Sequence, residues 1–186
     1  MKIKHACTLQ NRLSILAAGL LVLTTLSLSS LFCKPVAAAS TISGSYHMIV
    51  NGRSFHMDKP RKGEKYNENN FGSGIQYEFG RNVGSNTVPF ITSSAFYDSY
   101  NNLSYYVGGG ESRRFFLTRG WHADIGYVGF MMARKDIGNY SPFPGVLPVA
   151  SLGTRDVSLN MTYVPPLKKG FAELIFFQLK IATPDW

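Results

Sequence analysis

Cysteine is nearly absent from this 186-residue chain: Cys7 and Cys33 are the only two, and both fall within its first 39 residues. Charge is sparse as well, with Asp, Glu, Lys and Arg at 16%. No long apolar run occurs after Phe32, so nothing beyond that point could cross a membrane as a helix. The one apolar run, Leu13 to Phe32, follows Lys2, Lys4 and Arg12 and ends at Ala37-Ala38-Ala39, the order of a secretory signal with an A-x-A cleavage site. Thr24, Thr25 and Ser27 interrupt it, and small residues follow where an anchor would need stop-transfer charges. Phe32 ahead of Cys33 excludes a lipoprotein signal, which needs a small residue there. The expected division is a signal peptide over 1–39 and a single domain over 40–186.

Each absence removes a class of function. With residues 1–39 gone the mature chain has no thiol, so neither an internal disulfide nor a cysteine nucleophile is available. The same cut removes four of the 19 Lys and Arg and none of the 11 acids, leaving 15 against 11, a net charge of +4. That modest excess suits an anionic surface such as lipopolysaccharide. Nucleic acid would require a basic stripe, and none is present. The three remaining histidines, His47, His56 and His122, are widely separated and lack Cys or Glu neighbours at ligand spacing, so no metal is implied.

What the chain does have is period-two alternation. In Val157-Ser-Leu-Asn-Met-Thr-Tyr163 the apolar Val157, Leu159, Met161 and Tyr163 share one face. Ile75, Tyr77 and Phe79 alternate with Gln76 and Glu78, and Phe177, Leu179 and Ile181 alternate with Gln178 and Lys180. Such faces would form a sandwich core in water, or meet lipid in an outer membrane with the polar faces lining a lumen. Between turn signals the segments predict strands near 44–57, 70–80, 87–98, 103–114, 121–134, 146–153, 156–164 and 171–181. Their number is even, and at about 9–11 residues per membrane strand they fit one domain of this length. The expected fold is all-β, an eight-stranded antiparallel outer-membrane β-barrel, which strand number and length fit although alternation alone does not separate it from a sandwich. If the mature N-terminus is periplasmic, the connections near 58–69, 99–102, 135–145 and 165–170 face outward. His56, Asp98 and Ser99 then converge at the external end, which is the raw material of acyl transfer: a hydroxyl, a base and a carboxylate. Ester exchange calls for no cofactor.

Specific motifs sharpen this. Ser141-Pro-Phe-Pro-Gly-Val-Leu-Pro-Val-Ala-Ser151 and Asn160-Met-Thr-Tyr-Val-Pro165 come after Tyr66-Asn-Glu68 and Asp98-Ser99. Over about residues 46–181 this set resembles the lipid A palmitoyltransferases of the outer membrane, the PagP family. The resemblance implies transfer of a fatty acyl chain, palmitoyl in length, from a glycerophospholipid to a hydroxyacyl chain of lipid A, with the protein integral to the Gram-negative outer membrane. It implies no cofactor and no nucleic acid partner, and it leaves a homodimer open. It marks His56, Asp98 and Ser99 as catalytic, either as a relay or with Ser99 positioning rather than attacking. Gly110, in the run Gly108-Gly109-Gly110, matches the family position that sets acyl-chain length; a bulge is the plain alternative. Twelve residues beyond Asp98, it is expected near the lumen floor. Pro148 and Pro165 match residues of a lateral lipid entrance, and Arg134 a residue of the external rim that could contact lipid A. Lys59, Arg61, Lys62 and Lys65 crowd the first external loop.

His47, in the same strand, is the rival for the His56 role, while His122 reads as an interfacial residue at the opposite end. Three departures from the family pattern stand out. Too few residues precede His56 for the family's amphipathic clamp helix, the first external loop is shorter, and Asn51 and Asn70 occupy positions where the family has prolines of a second wall opening. Two other functions stay on the table. An outer-membrane phospholipase or deacylase would use the same site with water as acceptor, and a non-enzymatic structural barrel would use only the scaffold.

Overall fold

The computed structural model describes residues 41–60, 65–166 and 172–183. The signal peptide expected over 1–39 lies outside the described residues, as do Arg61 and Lys62. Eight strands form one closed antiparallel barrel. They are β1 (Ser45–His56), β2 (Asn69–Glu78), β3 (Thr87–Tyr97), β4 (Leu103–Phe116), β5 (His122–Ala133), β6 (Phe143–Gly153), β7 (Val157–Val164) and β8 (Leu174–Ala182). Each pairs with the next, and β8 closes on β1 from Leu174↔His56 to Ala182↔His47. A minimal ladder, Thr41↔Asn82 and Ile42↔Arg81, ties the start of the described chain to the β2–β3 connection.

The alternation resolves into two surfaces. Ile75, Ile91, Val107, Ile125, Val146 and Leu179 point outward and are exposed, a band that lipid, not water, tolerates. Inward lie polar side chains such as Gln76, Thr92, Ser104, Asp124, Ser151 and Gln178, all buried. The sandwich alternative is thereby excluded, because the eight strands close into one sheet whose apolar face is the outer one. Mid-lumen, Phe90, Val128 and Leu147 form a small apolar cluster with Phe130, Val149 and Val164 packed against it.

The two ends differ. The strand ends at His56 and Asn69, Tyr97 and Leu103, Ala133 and Phe143, and Val164 and Leu174 lie at one end, here the loop end; those at Glu78 and Thr87, Phe116 and His122, and Gly153 and Val157 lie at the other, the turn end. Hydrogen bonds tighten the turn end, including Leu117 N–H to Trp121 O at 2.8 Å and Ala182 N–H to Asp156 O at 2.8 Å. Strand β6 begins at Phe143, three residues before its expected start at 146, although it contains Pro144 and Pro148. The reason is that these residues ladder only with β5, through Pro144↔Met131 and Pro148↔Tyr127, so the missing N–H groups face an unpaired side.

Candidate active site

At the loop end β1 delivers His56 and the short β3–β4 connection delivers Ser99. His56 Nε2 and Ser99 Oγ lie 2.9 Å apart, within hydrogen-bond reach, and link residues 43 apart in sequence. His47 sits in the lumen at the turn end, paired with Ala182, so of the two histidines on β1 it is His56 that meets Ser99. The 98–102 loop owes its shape to Asp98, whose Oδ1 accepts the N–H groups of Tyr100 at 2.9 Å and Asn102 at 3.0 Å. This is an Asx-type turn, and it holds Asn101 at φ 63°, a left-handed conformation that asparagine tolerates better than most residues.

The carboxylate of Asp98 is thus committed to its own loop. Its Oδ2 accepts Ser104 Oγ–H at 2.9 Å and lies 3.6 Å from an Arg134 nitrogen. Both residues are fully buried, Asp98 at 1% and Ser104 at 0% exposure. A relay would need a carboxylate on the far nitrogen of His56, yet His56 Nδ1 is buried and has no hydrogen-bond partner among the described residues. His56 and Ser99 are therefore brought together, whereas Asp98 is brought beside them without touching the imidazole. What does touch it is Tyr66, whose ring stacks on His56 with centroids 3.9 Å apart and planes inclined by 14°. The backbone of Asn67 anchors the same loop, donating its N–H to Ser99 O at 2.8 Å.

Below this pair a cavity of about 590 Å³ runs down the lumen, within the usual size range of small-molecule sites. Its mouth is lined by Asp98, Ser99 and Arg134, its shaft by apolar residues including Phe96, Phe130, Leu147 and Phe176, and its bottom by Gln76, Asp124 and Lys180. The cavity is thus an apolar tube with a hydroxyl and a carboxylate at its mouth and charged groups at its floor. Arg134 at the mouth makes a two-point bond to Asp136, Nε–H to Oδ1 at 2.9 Å and an Nη–H to Oδ2 at 3.0 Å.

The wall is split on one side of this tube. The β6–β7 ladder runs from Gly153↔Ser158 only as far as Val149↔Thr162. Beyond it, Phe143–Pro148 pair only with β5, and Tyr163 and Val164 only with β8, so Pro148 stands where the ladder parts and Pro165 just past the end of β7. Leu147 and Val164, on either side of the split, both line the cavity. A second wall region behaves differently. The β2–β3 ladder stops at Gly72↔Phe96, and there Asn70 Nδ2–H donates to Tyr97 O at 2.8 Å and Asn51 Nδ2–H to Ser94 Oγ at 2.6 Å. The two asparagines bridge the wall where prolines could not.

Residues 40–180 match the family described as "Antimicrobial peptide resistance and lipid A acylation protein PagP". The chain belongs to the PagP family. It is 39% identical over 87 residues to the lipid A acyltransferase PagP of Methylobacillus flagellatus, a match that spans about half of each, 47%. It is 30% identical over 138 residues to the lipid A acyltransferase PagP of Bordetella pertussis, covering 72% of this chain and 73% of the relative. The lipid A acyltransferase PagP of Klebsiella pneumoniae is 28% identical over 149 residues, covering 68% and 77%.

Gly110 requires two corrections of detail. The β4 ladders run through Gly108–Gly110 without a shift on either side, so there is no bulge. Because the chain turns back through 98–102 before β4 starts, Gly110 is about 23 Å from the rim at roughly 3.3 Å per residue. It pairs with Phe90 and Val128 of the apolar cluster, above rather than at the charged floor. A Cβ built on it would run into the carbonyl oxygen of Tyr127 on β5, so glycine is needed here for close strand approach. Gly110→Ala is accordingly expected to cost about 1–3 kcal/mol, the usual range for overpacking. Urea unfolding of the refolded barrel measures this, and an unchanged midpoint would contradict the close approach.

His122 also departs from its expected place. It is at the turn end, but 5% exposed and turned inward, its Nε2 3.7 Å from Asp124 Oδ2, not at the lipid interface. The signal was available: Ile125 and Tyr127 outward put Asp124 and His122 on the lumen side by parity. Lys59 is exposed on the first loop and Lys65 likewise.

Proposed function

We propose that residues 40–186, released from a signal peptide at 1–39, form an outer-membrane acyltransferase that moves a long acyl chain, palmitoyl in length, from a glycerophospholipid to a hydroxyacyl chain of lipid A. The observation that carries this reading is the 2.9 Å His56–Ser99 contact at the mouth of an apolar tube. Lipid A acylation is what the family description and the relatives' names state.

The donor's acyl chain fits the tube with its ester carbonyl at Ser99, and its glycerol headgroup stays at the mouth near Arg134. The split between Phe143–Pro148 and Tyr163–Pro165 supplies a sideways route by which a chain can slide in without its headgroup crossing the lumen. His56 Nε2 takes a proton from the attacking hydroxyl, whether that of lipid A directly or Ser99 Oγ in a first step, and returns it to the departing glycerol oxygen. By direct attack one ester C–O bond breaks, one forms, and lysophospholipid leaves; by way of Ser99 the exchange happens twice, the lipid A hydroxyl then displacing Ser99 Oγ from its acyl ester and the proton returning to Ser99 through His56. Asp98 acts by shaping the loop that carries Ser99 and by countering the charge of Arg134. In this reading Gly110 keeps the tube open at the level of Phe90 and Val128, and the loop end faces outward, where lipid A lies.

The experiment is mass spectrometry of lipid A from a host that lacks its own palmitoyltransferase and expresses this chain. A gain of one palmitoyl mass is expected. Free fatty acid released without acylated lipid A would assign the site to a hydrolase instead, and an inserted barrel that alters no lipid would leave only a scaffold.

A further inference from the structure

The geometry points to Tyr66 as a positioning residue that takes over, through the face of its ring, the task a carboxylate performs for the histidine of a Ser-His-Asp site. This rests on the acyl-transfer reading above. When His56 Nε2 accepts a proton the imidazole becomes a cation, and catalysis depends on how well its surroundings hold that charge and keep the ring aimed at Ser99. The carboxylate expected to do so, Asp98, is occupied by Tyr100, Asn102, Ser104 and Arg134, and His56 Nδ1 has no partner among the described residues.

The imidazole is instead covered by an aromatic plane. Tyr66 lies at 3.9 Å and 14°, the arrangement in which a cationic ring meets the electron-rich face of another ring. Tyr66 is itself held on two sides. Its Oη–H donates to Asp58 Oδ2 at 3.3 Å, and its ring meets Tyr100 edge-on at 6.0 Å. Since Tyr100 belongs to the Asp98 loop, the stack His56–Tyr66–Tyr100 couples the base to the loop that carries Ser99. Removing the ring frees the imidazole to swing and removes the surface that stabilises its charge, while the donor's acyl contacts, all lower in the tube, stay in place. Loss is therefore expected in kcat and not in KM.

The test compares wild type with Tyr66→Phe and Tyr66→Leu, each purified, refolded in detergent and checked for heat-modifiable mobility. Donor consumption is followed with a dipalmitoyl phospholipid, with and without lipid A, so that a hydrolase is measured as readily as a transferase. Tyr66→Leu is expected to lower kcat about tenfold, equivalent to ~1.4 kcal/mol, with KM for the donor within about twofold. Tyr66→Phe, which keeps the ring and loses the Asp58 bond, is expected to stay within about threefold of wild type. By NMR in micelles the His56 Cε1 proton is expected to carry an upfield ring-current shift in wild type and Tyr66→Phe that vanishes in Tyr66→Leu. Wild-type kcat in Tyr66→Leu, equal impairment of Phe and Leu, or a change in KM alone would each overturn the inference. A folded wild type that consumes no donor would count against acyl transfer itself, and the ring-current shift would then decide the stack on its own.

Discussion

Alanine at Ser99 is expected to abolish acyl transfer, lowering turnover by at least about 10³-fold, in a barrel that still inserts and folds. The size of the loss follows from what the hydroxyl does: Ser99 Oγ lies 2.9 Å from His56 Nε2, so its removal takes away the group that attacks through His56 or that holds the imidazole and the acceptor hydroxyl in line. His56→Ala removes the other half and is expected to cost about 10²–10⁴. Since the two act as one unit, the double variant should be no worse than the more damaging single one. Folding should survive because neither side chain contributes to the ladder or to the lumen core. Ser99 lies in a loop whose geometry is set by the backbone bonds to Asp98 and by Asn67 N–H on its carbonyl, none of which uses the Ser99 hydroxyl. The measurement is the palmitoyl mass gain on lipid A alongside heat-modifiability of the extracted protein. A Ser99→Ala barrel that still acylates lipid A would sink the assignment, and with it the reading of the tube's mouth as the reaction centre.

The strands were legible before the structure because alternation is unforgiving: one residue of slip turns an apolar face inward, so the pattern fixes face, register parity and strand count together. Strand β6 hid its first three residues, Phe143–Gly145, because Pro144 and Gly145 read as a turn until it is known that one side of that strand is unpaired. At the site, the meeting of His56 with Ser99 could be anticipated from parity, which put both at the loop end. The role of Asp98 could not, since a carboxylate next to a serine looks the same whether it faces the histidine or its own backbone. The cue that was present is the spacing Asp98…Tyr100…Asn102, typical of an Asx turn. Tyr66 stood in plain view in its motif, but no local pattern says which ring a loop tyrosine will cover. Long-range register made the rest invisible. Glu78, Arg114, Asp124 and Lys180 are each inward by parity, yet which cation meets which anion is decided only when β8 closes the barrel.

Those four residues carry the second large effect. At the turn end of the lumen Lys180 Nζ bonds Glu78 Oε1, Arg114 reaches Glu78 Oε2 at 3.2 Å, and Arg114 grips Asp124 through Nε–H to Oδ1 at 2.9 Å and Nη–H to Oδ2 at 2.8 Å. Glu78, Asp124 and Lys180 are each under a tenth exposed, so water cannot replace a lost partner, and the four charges balance as two of each sign. Glu78 is the hinge of the set because both cations depend on it. Glu78→Gln leaves Lys180 buried with no anion and Arg114 with half its partners, and is expected to destabilise the barrel by about 3–5 kcal/mol. Lys180→Met removes only one of the two cations on Glu78 and should cost less. The combined Glu78→Gln, Lys180→Met barrel should recover much of the loss, because no uncompensated charge remains; buried ion pairs are costly to break and often cheap to replace whole. Urea titration of the refolded proteins, followed by tryptophan fluorescence, gives the double-mutant cycle directly. Additive losses, with the double variant weaker than either single one, would mean that the lumen floor is wet enough to screen its charges, and that the tube ends in solvent rather than in a sealed polar plug.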